Sequence, residues 1–193
     1  MSFPDFSTKA EARDWARRVR AAISLADRAR MSRTIAERLA ADPRFVGASA
    51  VLTYAGAKAG ELDTRPVMEH AWRLGKRVLV PLTRPGGALA WSALRAWADL
   101  EATRLGLLEP RPGAVDLVVP DGGLCITPGL CFRADGHRIG FGGGYFDRFL
   151  AGFRGTPIAL APDAIWGVRF PVEPHDIPVE AVITETAIRE ARG

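Results

Sequence analysis

No stretch of this 193-residue sequence approaches the roughly 18 consecutive apolar residues of a membrane-spanning helix. Its opening residues also lack the apolar core of a secretory signal, so a cytoplasmic location and no membrane partner are expected. Cysteine is scarce. Cys125 and Cys131 are the only two, and their spacing fits no common zinc pattern. Both read as small core residues in a reducing compartment. Lysine is scarcer than arginine: Lys9, Lys58 and Lys76 are the only three among 26 basic residues. His70, His137 and His175 share no metal-ligand spacing, and neither a Ser/His/Asp nor a Cys/His arrangement is present. Internal repeats, low-complexity tracts and linkers are missing too, so residues 1–193 read as a single domain.

What remains is ordinary for a globular protein, with 48% hydrophobic and 25% charged residues. The net charge of +4 and a pI near 9.6 suit a polyanionic ligand: a nucleotide, a polyglutamylated cofactor or a nucleic acid. No nucleic-acid module is recognisable, and the arginines are dispersed, not clustered with aromatics. A nucleic-acid partner is therefore not expected, and the chain is taken as a monomer.

Thr8-Lys9-Ala10-Glu11 has the spacing of a capping box. The helix it opens is expected to bury Ala12, Trp15, Ala16, Val19 and Ile23. Lys9, Arg13, Arg17 and Arg20 would form a basic stripe on another side, with Lys9 and Arg13 neighbours four residues apart. From spacing alone that stripe is a solvated face. Ser24 caps a second helix through Met31, Ile35 and Leu39, stopped at Asp42-Pro43. Residues 48–54 read as a buried strand. A third helix begins near Asp63 to Pro66 and ends at Leu74-Gly75, and residues 77–82 form the next strand. Strand, helix, strand implies a parallel pair with a right-handed crossover. Further strands are expected over residues 88–94, 116–120, 124–127, 157–161 and 179–184. The fold class is thus α/β: one three-layer α/β/α domain with a mostly parallel, Rossmann-like sheet and helices on both faces. Glu61 follows the first strand, where open α/β sheets bind ligands. It equally suits the start of the third helix.

One segment dominates the rest: Arg138-Ile139-Gly140-Phe141-Gly142-Gly143-Gly144-Tyr145-Phe146-Asp147-Arg148-Phe149-Leu150. Its glycines let backbone N–H groups approach a ligand closely, and the loop feeds a helix start that favours anions. Arg138 adds a cation before it and Asp147 a carboxylate after it that could hold Mg²⁺ beside phosphates. It is neither a Walker A loop nor a clean dinucleotide fingerprint, and a tight turn between core elements is the plainer alternative.

The segment resembles the signature of the 5-formyltetrahydrofolate cyclo-ligase (5,10-methenyltetrahydrofolate synthetase) family, roughly R-L-G-x-G-x-G-Y-Y-D. Other family landmarks follow in order: Lys9 and Arg13, Gly60-Glu61-Leu62-Asp63-Thr64, Leu105 to Pro110, and Glu173-Pro174-His175-Asp176. The resemblance implies ATP- and Mg²⁺-dependent conversion of 5-formyltetrahydrofolate into 5,10-methenyltetrahydrofolate. It implies ATP contacts at Lys9, Arg13, Arg138, Ile139, Gly140, Phe141, Gly142, Gly143, Gly144, Tyr145 and Phe146. It implies catalytic roles for Arg138 and Tyr145, folate contacts at Gly56, Glu61 and Tyr145, and Mg²⁺ at Asp147 and Asp176. The substrate would be a reduced folate, with or without a polyglutamate tail. On residues alone, Asp147 is equally a salt-bridge partner for an arginine, and Asp176 a turn or cap residue.

Three departures from the family pattern stand out. Phe146 replaces the second tyrosine, Arg133 replaces an acid, and Pro162-Asp163-Ala164-Ile165 replaces Phe-x-x-Gln. Together they motivate an alternative: a catalytically silent or substrate-shifted paralogue that binds folate or nucleotide.

Overall fold

The structure, a computed structural model, describes residues 3–56, 60–103 and 108–192. Lys58, and residues 105–107 ahead of Glu109, lie outside the described residues.

Helix α1 (Lys9–Ala22) starts on the capping box: Glu11 N donates to Thr8 Oγ1 at 3.2 Å, and Thr8 N to Glu11 Oε2 at 3.1 Å. Such a cap stabilises a helix by about 1 kcal/mol. Ala12 and Ala16 are fully buried, while Trp15 and Val19 pack at the core's edge. The expected basic stripe breaks at Arg20, which is only 6% exposed. Its guanidinium donates to the carbonyls of Leu130 (3.0 Å), Gly60 (2.9 Å) and Gly129. A buried cation must find acceptors, and three loop carbonyls supply them.

Ser24 caps α2 (Leu25–Ala40) by accepting from Asp27 N. Asp42 does more than stop that helix. It caps α3 (Pro43–Gly47), with Pro43 in the first turn, where no N–H is needed. β1 (Ala50–Thr53) is shorter than the expected strand and buried on both faces. α4 (Arg65–Arg73) ends in a Schellman turn. Gly75 at φ +68° donates to Trp72 O, and Lys76 N reaches Ala71 O.

The strands that follow are β2 (Arg77–Arg84), β3 (Ala88–Leu94), β4 (Leu100–Ala102), β5 (Leu108–Pro110), β6 (Leu117–Val118), β7 (Leu124–Ile126), β8 (Cys131–Phe132) and β9 (Arg138–Ile139). Helix α5 (Tyr145–Leu150) precedes β10 (Thr156–Leu160), β11 (Ala181–Ile183) and β12 (Ile188–Glu190). Eight strands form the main sheet in the order β12-β11-β10-β7-β1-β2-β3-β6. The five from β11 to β2 are parallel; β12, β3 and β6 add antiparallel edges.

Side chains alternate across the sheet. Val51, Leu124, Ile126, Ile158 and Leu160 face α2, α3 and α4. Ala50, Leu52, Leu79 and Cys125 face Leu150 of α5, and Ala159 and Val182 face α1. Helices therefore cover both faces, as the three-layer reading requires. Two hairpins, β4–β5 and β8–β9, stand apart from the main sheet. The glycine pair before β7 has a local cause. Gly123 lies at φ +100°, and a Cβ there would sit 2.6 Å from Ala50 O. No helix among the described residues is long and apolar enough to cross a membrane.

Candidate active site

A cleft opens at the carboxyl ends of β1, β2 and β7, where an open α/β sheet leaves room for a ligand. Its cavity volume is about 210 Å³. One wall comes from the sheet and its loops: Tyr54, Ala55, Glu61, Pro81, Thr83, Leu89 and Pro128. Hairpin β4–β5 adds Leu108 and Glu109 at the rim, and Ala55 bridges to Leu108. The opposite wall is the glycine segment: Arg138, Gly140, Phe141, Gly143, Gly144, Tyr145, Phe146 and Asp147.

The glycine segment is built around two arginines. Arg138, 7% exposed, leaves β9 pointing inward. It donates to Asp147 Oδ1 at 2.8 Å and to the Ile177 carbonyl. Burial pulls its pKa down, and the Asp147 charge and hydrogen bond oppose that. Ile177 N also donates to Asp147 Oδ1 at 3.2 Å, and among the described residues no donor reaches Oδ2. Arg148 donates to Gly143 O at 2.6 Å and Gly87 O at 3.0 Å, tying the loop to the β2–β3 turn. Gly144 holds φ +63° to start α5, and a Cβ on Gly143 would strike the Tyr145 ring. Gly140 differs. Its φ is not positive, and a Cβ there would meet nothing within 4 Å.

A second cluster flanks the loop. Arg13 Nε donates to Gly140 O at 3.2 Å, so α1 sits directly behind the glycine segment. Lys9 Nζ lies 2.6 Å from Asp176 Oδ2 and 2.7 Å from Glu173 Oε2. Burial would depress the Lys9 ammonium, yet its two carboxylate partners lift it above its ordinary value. Burial likewise raises the Asp176 carboxyl, but Lys9 and the Glu173 amide hold it below the usual range. Glu173, His175 and Asp176 bring ligand atoms within 4.8 Å of one another, with the Lys9 ammonium among them.

The structure thus gathers Glu61, Arg138, Gly140, Phe141, Gly143, Gly144, Tyr145, Phe146 and Asp147 around one cleft. Lys9, Arg13 and Asp176 stand beside it, linked through Gly140 and Ile177. Gly142, at φ +106°, is exposed within the loop. Two expected residues fit less directly. The Ile139 side chain is 1% exposed and belongs to the core beside Phe132, so only its backbone could serve a ligand. Gly56 does not line the cleft. A Cβ there would collide with the Leu62 carbonyl, which accounts for the glycine without any ligand.

Sequence reasoning missed Thr83 and left Glu109 without a role. Thr83 N and Oγ1 both donate to Glu109 Oε1, at 3.2 and 2.9 Å. Long-range packing of the β4–β5 hairpin beside β2 brings them together, and no local pattern signals it. The departures also have local partners. Phe146 stacks edge-on against Trp91 at 6.3 Å, and Arg133 pairs with Asp135 and donates to Phe170 O.

The sequence matches the model of the 5-formyltetrahydrofolate cyclo-ligase family over residues 5–185. A 5-formyltetrahydrofolate cyclo-ligase of Escherichia coli K12 is 34% identical over 181 residues, 90% of this chain and 98% of that one. The solution structure of the 5,10-methenyltetrahydrofolate synthetase of Aquifex aeolicus superposes with a TM-score of 0.82 at 28% identity, over 96% of this chain and 93% of that one. The Mycoplasma pneumoniae 5,10-methenyltetrahydrofolate synthetase shares the fold at a TM-score of 0.70 and 19% identity, over 92% and 98% of the two chains.

Proposed function

The chain belongs to the 5-formyltetrahydrofolate cyclo-ligase family, and from that premise we propose that it converts 5-formyltetrahydrofolate to 5,10-methenyltetrahydrofolate at the expense of ATP. The observation that carries the reading is Gly140. It lines the cleft at a backbone angle open to any residue, and a side chain there would enter empty space. The fold does not require glycine at this position, whereas a triphosphate lying along the backbone would.

The chemical difficulty is a formamide oxygen, which leaves poorly. Transfer of the γ-phosphoryl to that oxygen makes it a phosphate leaving group and releases ADP. N10 then attacks the formyl carbon, the C–O bond to phosphate breaks, the N10 proton leaves with the departing phosphate, and the five-membered ring closes. Such a transfer needs position and charge neutralisation more than a protein nucleophile. Arg13 and Arg138 place cations behind and beneath the loop, and its glycine amides would serve as donors to phosphate oxygens. Arg138 would neutralise charge as it develops on the phosphoryl oxygens, with Tyr145 against the reacting folate.

The donor set suits Mg²⁺, a hard cation bound by oxygen. Asp147 Oδ2 is open for it, whereas both oxygens of Asp176 are held by Lys9. When bound, an ion held by Asp147 would offset the negative charge of the phosphates. Asp176 would join only as Lys9 shifts its hydrogen bonds from carboxylate to phosphate. Glu61 supplies an acceptor for the donor-rich pterin edge, and the apolar and aromatic walls suit a planar ring.

The test is direct: purified protein, 5-formyltetrahydrofolate and Mg-ATP, with methenyl product followed by absorbance. Product requiring all three supports the reading. Tight folate or nucleotide binding without product would make this a silent relative.

A further inference from the structure

We propose that Glu109 is a second recognition carboxylate, accepting the ring N8–H of the reduced pterin and so selecting reduced over oxidised folate; this rests on the folate reading above. Glu109 lines the same cleft as Glu61, among Ala55, Pro81, Leu89 and Leu108. Thr83 spends both its donors on one carboxylate oxygen, Oε1. That fixes the side chain and leaves Oε2 with no donor among the described residues. An ionised carboxylate only accepts, so a ligand beside Oε2 must bring an N–H or O–H.

The pterin ring has few donors. N3–H and one hydrogen of the 2-amino group lie parallel on one edge and match a single carboxylate, the part expected of Glu61. The remaining ring donors are N8–H and the second amino hydrogen, both flanking N1. In a fully oxidised pterin N8 carries a lone pair and no hydrogen. Oε2 would then face another acceptor, and a site built for a donor strongly rejects the analogue lacking it. The β4–β5 hairpin therefore does more than close the rim. It reads the oxidation state of the ring.

The experiment titrates wild type, Glu109→Gln and Glu61→Gln with 5-formyltetrahydrofolate and, separately, fully oxidised folate. Thermal melts of each variant report folding. Wild type should prefer the reduced ligand. Glu109→Gln should weaken the reduced ligand about tenfold and leave the oxidised one unchanged or tighter, since an amide can donate to N8. Glu61→Gln should weaken both ligands together, because the edge it meets is common to both. An unchanged reduced-to-oxidised ratio in Glu109→Gln, whether affinity holds or falls equally for both, overturns the proposal and leaves the folate reading standing. Wild type that binds neither ligand removes the folate reading itself, and this inference with it.

Discussion

Gly123 and Gly140 share a residue type and almost nothing else. Gly123 enters β7 at φ +100°, with Ala50 O where a Cβ would go. Gly140 leaves β9 with no positive φ and open space where a Cβ would go. The first is required by the sheet; the second has no such requirement and lines the cleft. Glycine-rich sequence therefore mixes two demands, and only the surroundings separate them.

The contrast can be broken most forcefully at Asp147. Asp147→Asn keeps the shape of the loop but removes the charge opposite buried Arg138 and the open oxygen expected to meet Mg²⁺. Turnover should fall about 10²- to 10³-fold. Near-wild-type steady-state rates would place Asp147 on the structural side of the comparison. Gly123→Ala should do the opposite, costing roughly 2 kcal/mol or more in denaturant unfolding while the folded fraction keeps its turnover.

Lys9 sharpens the comparison through pH. Its raised pKa makes its contribution complete below the ordinary 10.5 and lost as pH rises through the folded value. The lowered Asp176 contributes above the ordinary 3.8 and loses its effect as pH falls through the folded value. The stability gap between wild type and Lys9→Met should thus open, to about 1 kcal/mol, between those limits and close beyond them. Unfolding of Lys9→Met measured in a His175→Gln background separates the pair from the imidazole 3.9 Å from Asp176, and a gap absent in that background would contradict the pairing. His70→Ala marks the small end. His70 sits on α4 beside Arg73, away from the cleft, and its loss should leave turnover within about twofold.

Much of this was legible because the signals are local. The capping box at Thr8, the Gly75 helix end and the apolar runs of β1, β7 and β10 each carry their cause within a few residues. The glycine segment was legible for the same reason. The rest depends on distant partners. Arg20 looked like a member of an exposed stripe until three carbonyls from loops 40 and about 110 residues away enclosed it. Glu109 needed Thr83, and Lys9 needed Asp176. The closing strand β12 is three residues long and antiparallel, too short for periodicity to reveal.

The most direct measurement is calorimetric titration of Mg-ATP into Gly140→Ala and wild type, with thermal melts of both. The account predicts matching melts and an affinity for nucleotide at least about tenfold weaker in the variant, because the new methyl occupies the phosphate path. Equal affinity with equal melts would contradict it: the space beside Gly140 would then not be where the triphosphate lies.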